Sequence, residues 1–425
     1  MPMPVKSLPV VQNWDCHSCG ECCRSYHVRV SEVEKARIES QNWHEVPEVA
    51  GVAGVVFDKP FGSHRLNHRD DGACVFLGPE NRCRIHAKFG AAAKPMACRI
   101  YPFILVPVGD HWRVSLRMAC PSAVSNLGRP LADHAEDLKE YAALIEADAG
   151  GTMLQSGTQS LPAPELQTGQ ATTWADLQWF ARSLAAQIAD DSTPIDHRLR
   201  KIIAIADLCR KSRFEKVSGS RLKEFLDVIS GAVAEDVPLN AKDVAEPTWL
   251  GRVVFRQMVA IYARKDAGLN PGIASKSRLI RIKAAWRFAV GRGPIPRLHG
   301  LMPQTTFEQL ERPTGPLSEA SRELLTRFYQ VKLESLQFCG PTNFRRQFWP
   351  GLDSLILTFP AIQWLSRVFS ANGERSRDDA MKLAVQVVDS NFGFNKLLGA
   401  SRQTWATQTL TDRGELAKLV AWYAR

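Results

Sequence analysis

The chain has 425 residues, 45% of them hydrophobic and 23% charged, with a formal net charge of +10. That composition excludes global disorder and a fibrous repeat, and the length suits one large domain or two ordinary ones. No internal repeat at solenoid or propeller periods is present in the sequence.

The N-terminal stretch MPMPVKSLPVVQNW lacks a long apolar core and a small-residue cleavage site, so it does not read as a signal peptide. The most apolar long stretch, 354–369, is too short for a membrane span and contains Pro360, Gln363 and Arg367. The expectation is a cytoplasmic protein without a membrane partner.

Eight of the ten cysteines lie between Cys16 and Cys120. The first group is Cys16-x2-Cys19-x2-Cys22-Cys23, and the second is Cys74-x8-Cys83-x14-Cys98-x21-Cys120. A C-x2-C-x2-C run lets one tight loop turn three sulfurs toward a common centre, as in ferredoxin cluster loops. Tyr26 stands where the fourth cysteine of such a run would fall, so a distant cysteine must complete the site. Cys120, followed by Pro121, has the expected local form.

The later cysteines read as placed by hairpins. Residues 100–108 and 111–119 are strand-like and joined by Gly109–Asp110, with paired positions summing to about 219. That register sets Cys98 beside the Cys120–Pro121 step. In the same way CVFL and CRIH flank the turn-rich GPENR segment and bring Cys74 near Cys83.

Metal ligation is the reading this density supports best. A disulfide framework is disfavoured in a reducing cytosol, and buried structural thiols would not fall at repeated x2 spacing. The expected ligands are Cys16, Cys19, Cys22, Cys23, Cys74, Cys83, Cys98 and Cys120. Soft thiolates suit iron and zinc alike. The ferredoxin-like run favours an iron–sulfur cluster, with zinc as the alternative, although adjacent Cys22 and Cys23 are hard to aim at one centre. His17, His27 and His86 are alternative ligands.

Beyond Pro130 a helical pattern runs to Gly150–Gly151, and residues 150–172, rich in Gly, Ser, Thr, Gln and Pro, read as a linker or exposed loop. Helix then follows helix. Thr173 with Asp176 and the Thr193–Pro194 step open two of them. Further helices are expected at Leu222–Val233, Trp249–Lys265, Ser277–Val290, Ser318–Gln337, Leu352–Ser370, Asp378–Ser390 and Glu415–Tyr423. Cys209 and Cys339 read as small core residues. Residues 291–317, with five Pro, form the one long irregular connection. The fold class is α+β: a small cysteine-rich metal-binding domain with short β-hairpins (1–125), a helix and linker (126–172), and a larger all-α domain (173–425).

The motifs CHSCGECCR at 16–24, GACVFL at 72–77, CRIH at 83–86 and KPMACRIYPF at 94–103 resemble the CxxCxxCC cysteine-cluster family, a zinc- or iron-chelating domain. Motif order, the closing Cys120–Pro121 and a long helical C-terminus are similar to flagellin lysine N-methylases. Lys94–Pro95 replaces the Arg-Pro common in members. The resemblance implies a metal-binding domain over about residues 14–122. It also implies a use as a protein lysine N-methylase, with S-adenosylmethionine as cofactor and flagellin or another polypeptide as partner. No strand followed by G-x-G-x-x-G offers a conventional site for such a methyl donor.

Two other classes stand beside that enzyme. One is a non-catalytic metal-stabilised binding module, and the other a metal carrier or redox protein. Residues 171–300 hold 22 Lys and Arg against 13 Asp and Glu, the main basic excess of the chain. Within it, Arg278, Arg281, Lys283 and Arg287 interleave with Leu279, Ile282, Trp286 and Ala289, which fit one helical face and read as core, so nucleic acid is disfavoured. Arg99, Tyr101 and Glu21 are the polar residues within the cysteine motifs.

Overall fold

The apolar run after Cys98 folds as the expected hairpin: β5 (Phe103–Val108) pairs antiparallel with β6 (His111–Leu116), Phe103 opposite Leu116 and Val108 opposite His111. Every pair sums to 219, so the register is the one read from the turn. Gly109 makes that turn with φ 64°, a conformation that side-chain-bearing residues rarely adopt. This computed structural model describes residues 3–6, 10–59, 62–147, 161–212, 214, 217–265 and 272–425.

Four further strands and four short helices precede the hairpin. They are β1 (Asn13–Trp14), α1 (Glu21–Ser25), β2 (Arg29–Val30), α2 (Glu32–Glu39), β3 (Val55–Asp58), β4 (Ser63–Leu66), α3 (Arg84–Phe89) and α4 (Met96–Ile100). After it come α5 (Pro121–Val124), β7 (Arg129–Pro130) and α6 (Ala135–Ala147). β2, β4 and β3 form a three-stranded antiparallel sheet, and β1 pairs with β7. α2 opens with a capping box: Ser31 Oγ accepts from the Glu34 N–H, and the Glu34 carboxylate accepts from the Ser31 N–H.

Both faces of the β5–β6 hairpin are buried: β5 runs apolar throughout, and β6 alternates Trp112, Val114 and Leu116 with the buried polar residues His111, Arg113 and Ser115. Leu105 and Trp112 pack on α6 through Ala142 and Ile145. The opposite face joins the main core of the helical part. The small sheet, by contrast, has its own core of Val30, Ile38, Trp43, Val49, Leu66, Val75, Phe76 and Ile85, to which Cys74 also belongs.

The helical part contains α7 (Trp174–Ala189), α8 (Ile195–Lys211), α9 (Gly219–Asp236), α10 (Trp249–Tyr262), α11 (Arg278–Val290) and α12 (Phe307–Leu310). It continues with α13 (Glu319–Glu334), α14 (Phe348–Ile356), α15 (Thr358–Phe369), α16 (Arg377–Asn391), α17 (Ser401–Asp412) and α18 (Glu415–Ala424). Thr173 caps α7 as expected, its hydroxyl accepting from the Asp176 N–H at 3.1 Å. The single helix expected over 352–370 is two, α14 and α15, parted at Leu357. Pro360 has no N–H to give the carbonyl of Ile356, so one continuous ladder cannot form. α17 was not foreseen, because SRQTWATQTLTD is polar and carries little periodicity. Within the expected linker, residues 148–160 lie outside the described residues. The stretch after it is seated on the helices: Glu165 and Leu166 carbonyls accept from the N–H groups of Phe348 and Trp349 at 2.9 and 3.0 Å.

Part of the basic charge is internal. On α8, Arg198 donates to the carbonyls of Ile188 and Thr193, and Arg200 donates to the Asp196 carboxylate and the carbonyls of Pro238 and Leu239. α11 is the reverse case. Leu279, Ile282 and Trp286, expected in the core, are 78%, 55% and 58% exposed, and the helix is seated through Ala284 and Phe288 instead.

Candidate metal centre

The N-terminal cysteine run is a loop closed by α1. Ser18 and Gly20 adopt φ 51° and 71°, so the chain doubles back twice within the run. The left-handed φ of Gly20, which a side chain with a Cβ rarely adopts, explains the glycine at that step. Cys22 and Cys23 sit in the first turn of α1, with their Sγ atoms 4.0 Å apart. The Cys74 N–H donates to the Cys23 carbonyl at 2.8 Å, which fastens the second cysteine group to the first.

CRIH is not the second strand of a hairpin. Only Cys83 bridges, to Leu77, and Arg84 begins α3. Glu80 and Asn81, at φ 53° and 58°, reverse the chain within GPENR, and Cys74 and Cys83 both lie at the small core. Cys98 is carried by α4 rather than by a strand. That helical turn intervenes before β5, so Cys98 is not aligned with Cys120 as the extrapolated register suggested. It packs against the small core with Cys74 and Cys83, whose charges, with that of Cys22, oppose its ionisation.

The thiols fall into two sets. Cys19 is opposed by Cys120, Cys22 and Cys16, and Cys120 in turn is opposed by Cys22. Cys74 is opposed by Cys83 and Cys22, and Cys98 by Cys74, Cys22 and Cys83. Cys22 is common to both sets. Packing draws the same line: Cys23, Cys83 and Cys98 lie against the small core with Cys74, whereas Cys120 belongs to the main core.

Burial is the first cause of raised thiol pKa values at Cys19, Cys74, Cys98 and Cys120, with Cys74 pushed up to about 12. At Cys22 the hydrogen bond with Cys23 comes first and burial second. Acting against this are groups that favour a thiolate. Backbone N–H groups of Glu21, Phe76, Ala123 and Ser122 point at Cys19, Cys74 and Cys120, and the Lys94 ammonium faces Cys22 and Cys98. The buried Trp14 indole N–H, without another partner among the described residues, faces Cys120. These nearby dipoles and the Lys94 charge favour the thiolate form that a metal ligand requires.

Among the described residues, no group of three or more His, Cys, Asp and Glu side chains is drawn together tightly enough to hold a metal ion. The three candidate histidines have other neighbours. His17 Nδ1 lies 2.9 Å from the Asp15 carbonyl oxygen, His27 stacks on His68 at 4.7 Å, and the carbonyl of His86 closes α3 by accepting from Gly90. Arg99 is bound to Glu140 and stacks over Tyr141, a structural role. Glu21 accepts from Ser25 and stands 4.0 Å from Lys265. Tyr101 packs on Tyr26 at 5.5 Å, beside Cys120 and Cys22, so the position of the missing fourth cysteine is filled by an aromatic pair. Sequence reasoning missed Trp14 and the charge role of Lys94. The second was visible in the Lys-Pro variant of the motif, while Trp14 lies outside every motif.

Residues 15–121 match the model of the CxxCxxCC family, described as "Putative zinc- or iron-chelating domain". The match supports metal binding by this quarter of the chain. No curated protein and no solved structure matches the chain, so the likeness to flagellin lysine N-methylases rests on sequence motifs alone. No helix among the described residues is long and apolar enough to cross a membrane.

Proposed function

We propose that residues 15–121 chelate metal through eight cysteines in two sets that meet at Cys22–Cys23. Cys16, Cys19 and Cys120 form one side, and Cys74, Cys83 and Cys98 the other. The observations that carry this reading are the Cys22–Cys23 sulfur contact and the backbone hydrogen bond from Cys74 to the Cys23 carbonyl, with the charge of Cys22 acting on members of both sets. The doublet's sulfurs, 4.0 Å apart, can give one ligand to an ion on either side, which completes two four-sulfur sites of the tetrahedral kind that single zinc or iron ions take. A bound ion would be held by these sulfurs once the remaining ones close on it.

The ions supply positive charge that converts thiols to thiolates and joins four separate segments: the 15–20 loop, the turn after Cys74, α4 and the start of α5. The small core over residues 30–85 has nine buried side chains, too few to hold such a region without a staple. The metal thus serves as the clamp between the small sheet and the helical part.

Cobalt(II) titration of the metal-free protein tests this. The expected result is a thiolate-to-metal absorption band that saturates above one equivalent, with visible bands of tetrahedral geometry. Each thiol that becomes a ligand gives up a proton, and burial already holds Cys74 near 12, so affinity falls as pH falls. The band is expected to bleach on acidification below neutrality and return on raising the pH. Octahedral cobalt spectra without a sulfur band would refute the proposal.

A further inference from the structure

The stretch from Lys276 to Arg297 contains seven Lys and Arg and no Asp or Glu. Its helix, α11, rests on α10: Arg256 donates to the carbonyls of Phe288 and Ala289, and Gln257 to that of Ala285. The seated face is Ala284 and Phe288. Leu279, Ile282, Trp286 and Val290, spaced three and four apart, fall within about 80° of one another on the opposite side. All four are exposed.

Charge brackets this outward stripe. Lys283 and Arg287 lie along one edge of it, and Arg278 and Arg281 along the other. Among the described residues, no carboxylate pairs with any of these four cations. The helix therefore has two apolar faces, one used for packing and one presented with a cationic border.

We infer that α11 is a docking helix for an anionic lipid surface, lying flat with Leu279, Ile282 and Trp286 in the headgroup boundary and its cations against the lipid charge. The combination decides the class. Phosphate contact explains the cations of a nucleic-acid site, yet gives no use for aliphatic Leu279 and Ile282 on a convex helix. An outward aliphatic stripe with one tryptophan, flanked by arginine and lysine, is the pattern of interfacial helices. Ile280, also exposed, lies beyond Lys283 and Arg287 on the same side of the helix.

Sedimentation of the full chain with vesicles tests the inference, because these side chains are exposed and their replacement leaves the core intact. The protein is expected to bind phosphatidylcholine vesicles that contain phosphatidylglycerol, and to release them as salt is raised. L279S/W286S is expected to weaken that binding by about tenfold or more, with an unchanged circular dichroism spectrum. K283A/R287A should weaken it and flatten its salt dependence. Failure to bind the anionic vesicles at low salt overturns the inference, as does equal binding by L279S/W286S. Tighter binding to duplex DNA or polyglutamate, lost in the same variants, would also overturn it in favour of that partner.

Discussion

Replacement of Cys22 and Cys23 together by serine is expected to strip the metal from both sulfur sets and to open the small sheet. Cys22 touches Cys23 and its charge acts on members of each set, and Cys23 is joined to Cys74 through the 2.8 Å backbone hydrogen bond. Loss of a group that merely supports a metal ligand costs about 10- to 100-fold in affinity, so losing two ligands should cost more. Binding energy at such sites is folding energy, on the order of 10 kcal/mol for a structural zinc. Limited proteolysis should therefore cut the double variant within residues 20–100 while leaving a helical fragment. Serine at Cys209 and Cys339, both buried in the main core, serves as the control and should leave metal content unchanged. Full metal content in the doublet variant would remove Cys22 and Cys23 from the site.

The second large effect lies beneath Cys120. Lys332 Nζ is 2.7 Å from Asp389 Oδ1, and both side chains are wholly buried. Lys332 also donates to the Leu116 carbonyl and to Gln337, while Asp389 accepts from the Ala119 N–H, next to Cys120. Burial pulls the Lys332 pKa down and Asp389 pulls it back up, so the charge depends on its partner. Lys332→Met leaves a carboxylate buried alone, with an expected loss of about 3–5 kcal/mol in urea unfolding. Asp389→Leu leaves the ammonium alone, at similar cost, and frees the Ala119 N–H beside the ligand. The Lys332→Met/Asp389→Leu double variant should recover most of the stability, because the cost lies in the unpaired charge. Additive losses in the double variant would contradict that account.

Local signals read well where one principle governs. The hairpin register followed from a two-residue turn between strand-like runs, and the cap at Thr173 followed from residue type. Reading failed where a second constraint competed. Pro360 split one periodic stretch into α14 and α15, although the period itself continued. At α11 periodicity found the stripe of Leu279, Ile282 and Trp286 but not its direction, because Ala284 and Phe288 offered a second apolar face. The cysteine spacing pointed to a chelating site and could not divide it. Cys98 and Cys120 look paired in a linear extrapolation, and only the helical turn of α4 sends Cys98 to the other set.

The most direct measurement is elemental analysis of the anaerobically purified chain, combined with X-ray absorption at the metal edge. The account predicts two zinc or iron ions per chain, each in an all-sulfur first shell near 2.3 Å, the bond length of a tetrahedral thiolate site. Eight thiols that all react with a thiol reagent in the folded protein, with no stoichiometric metal, would contradict it.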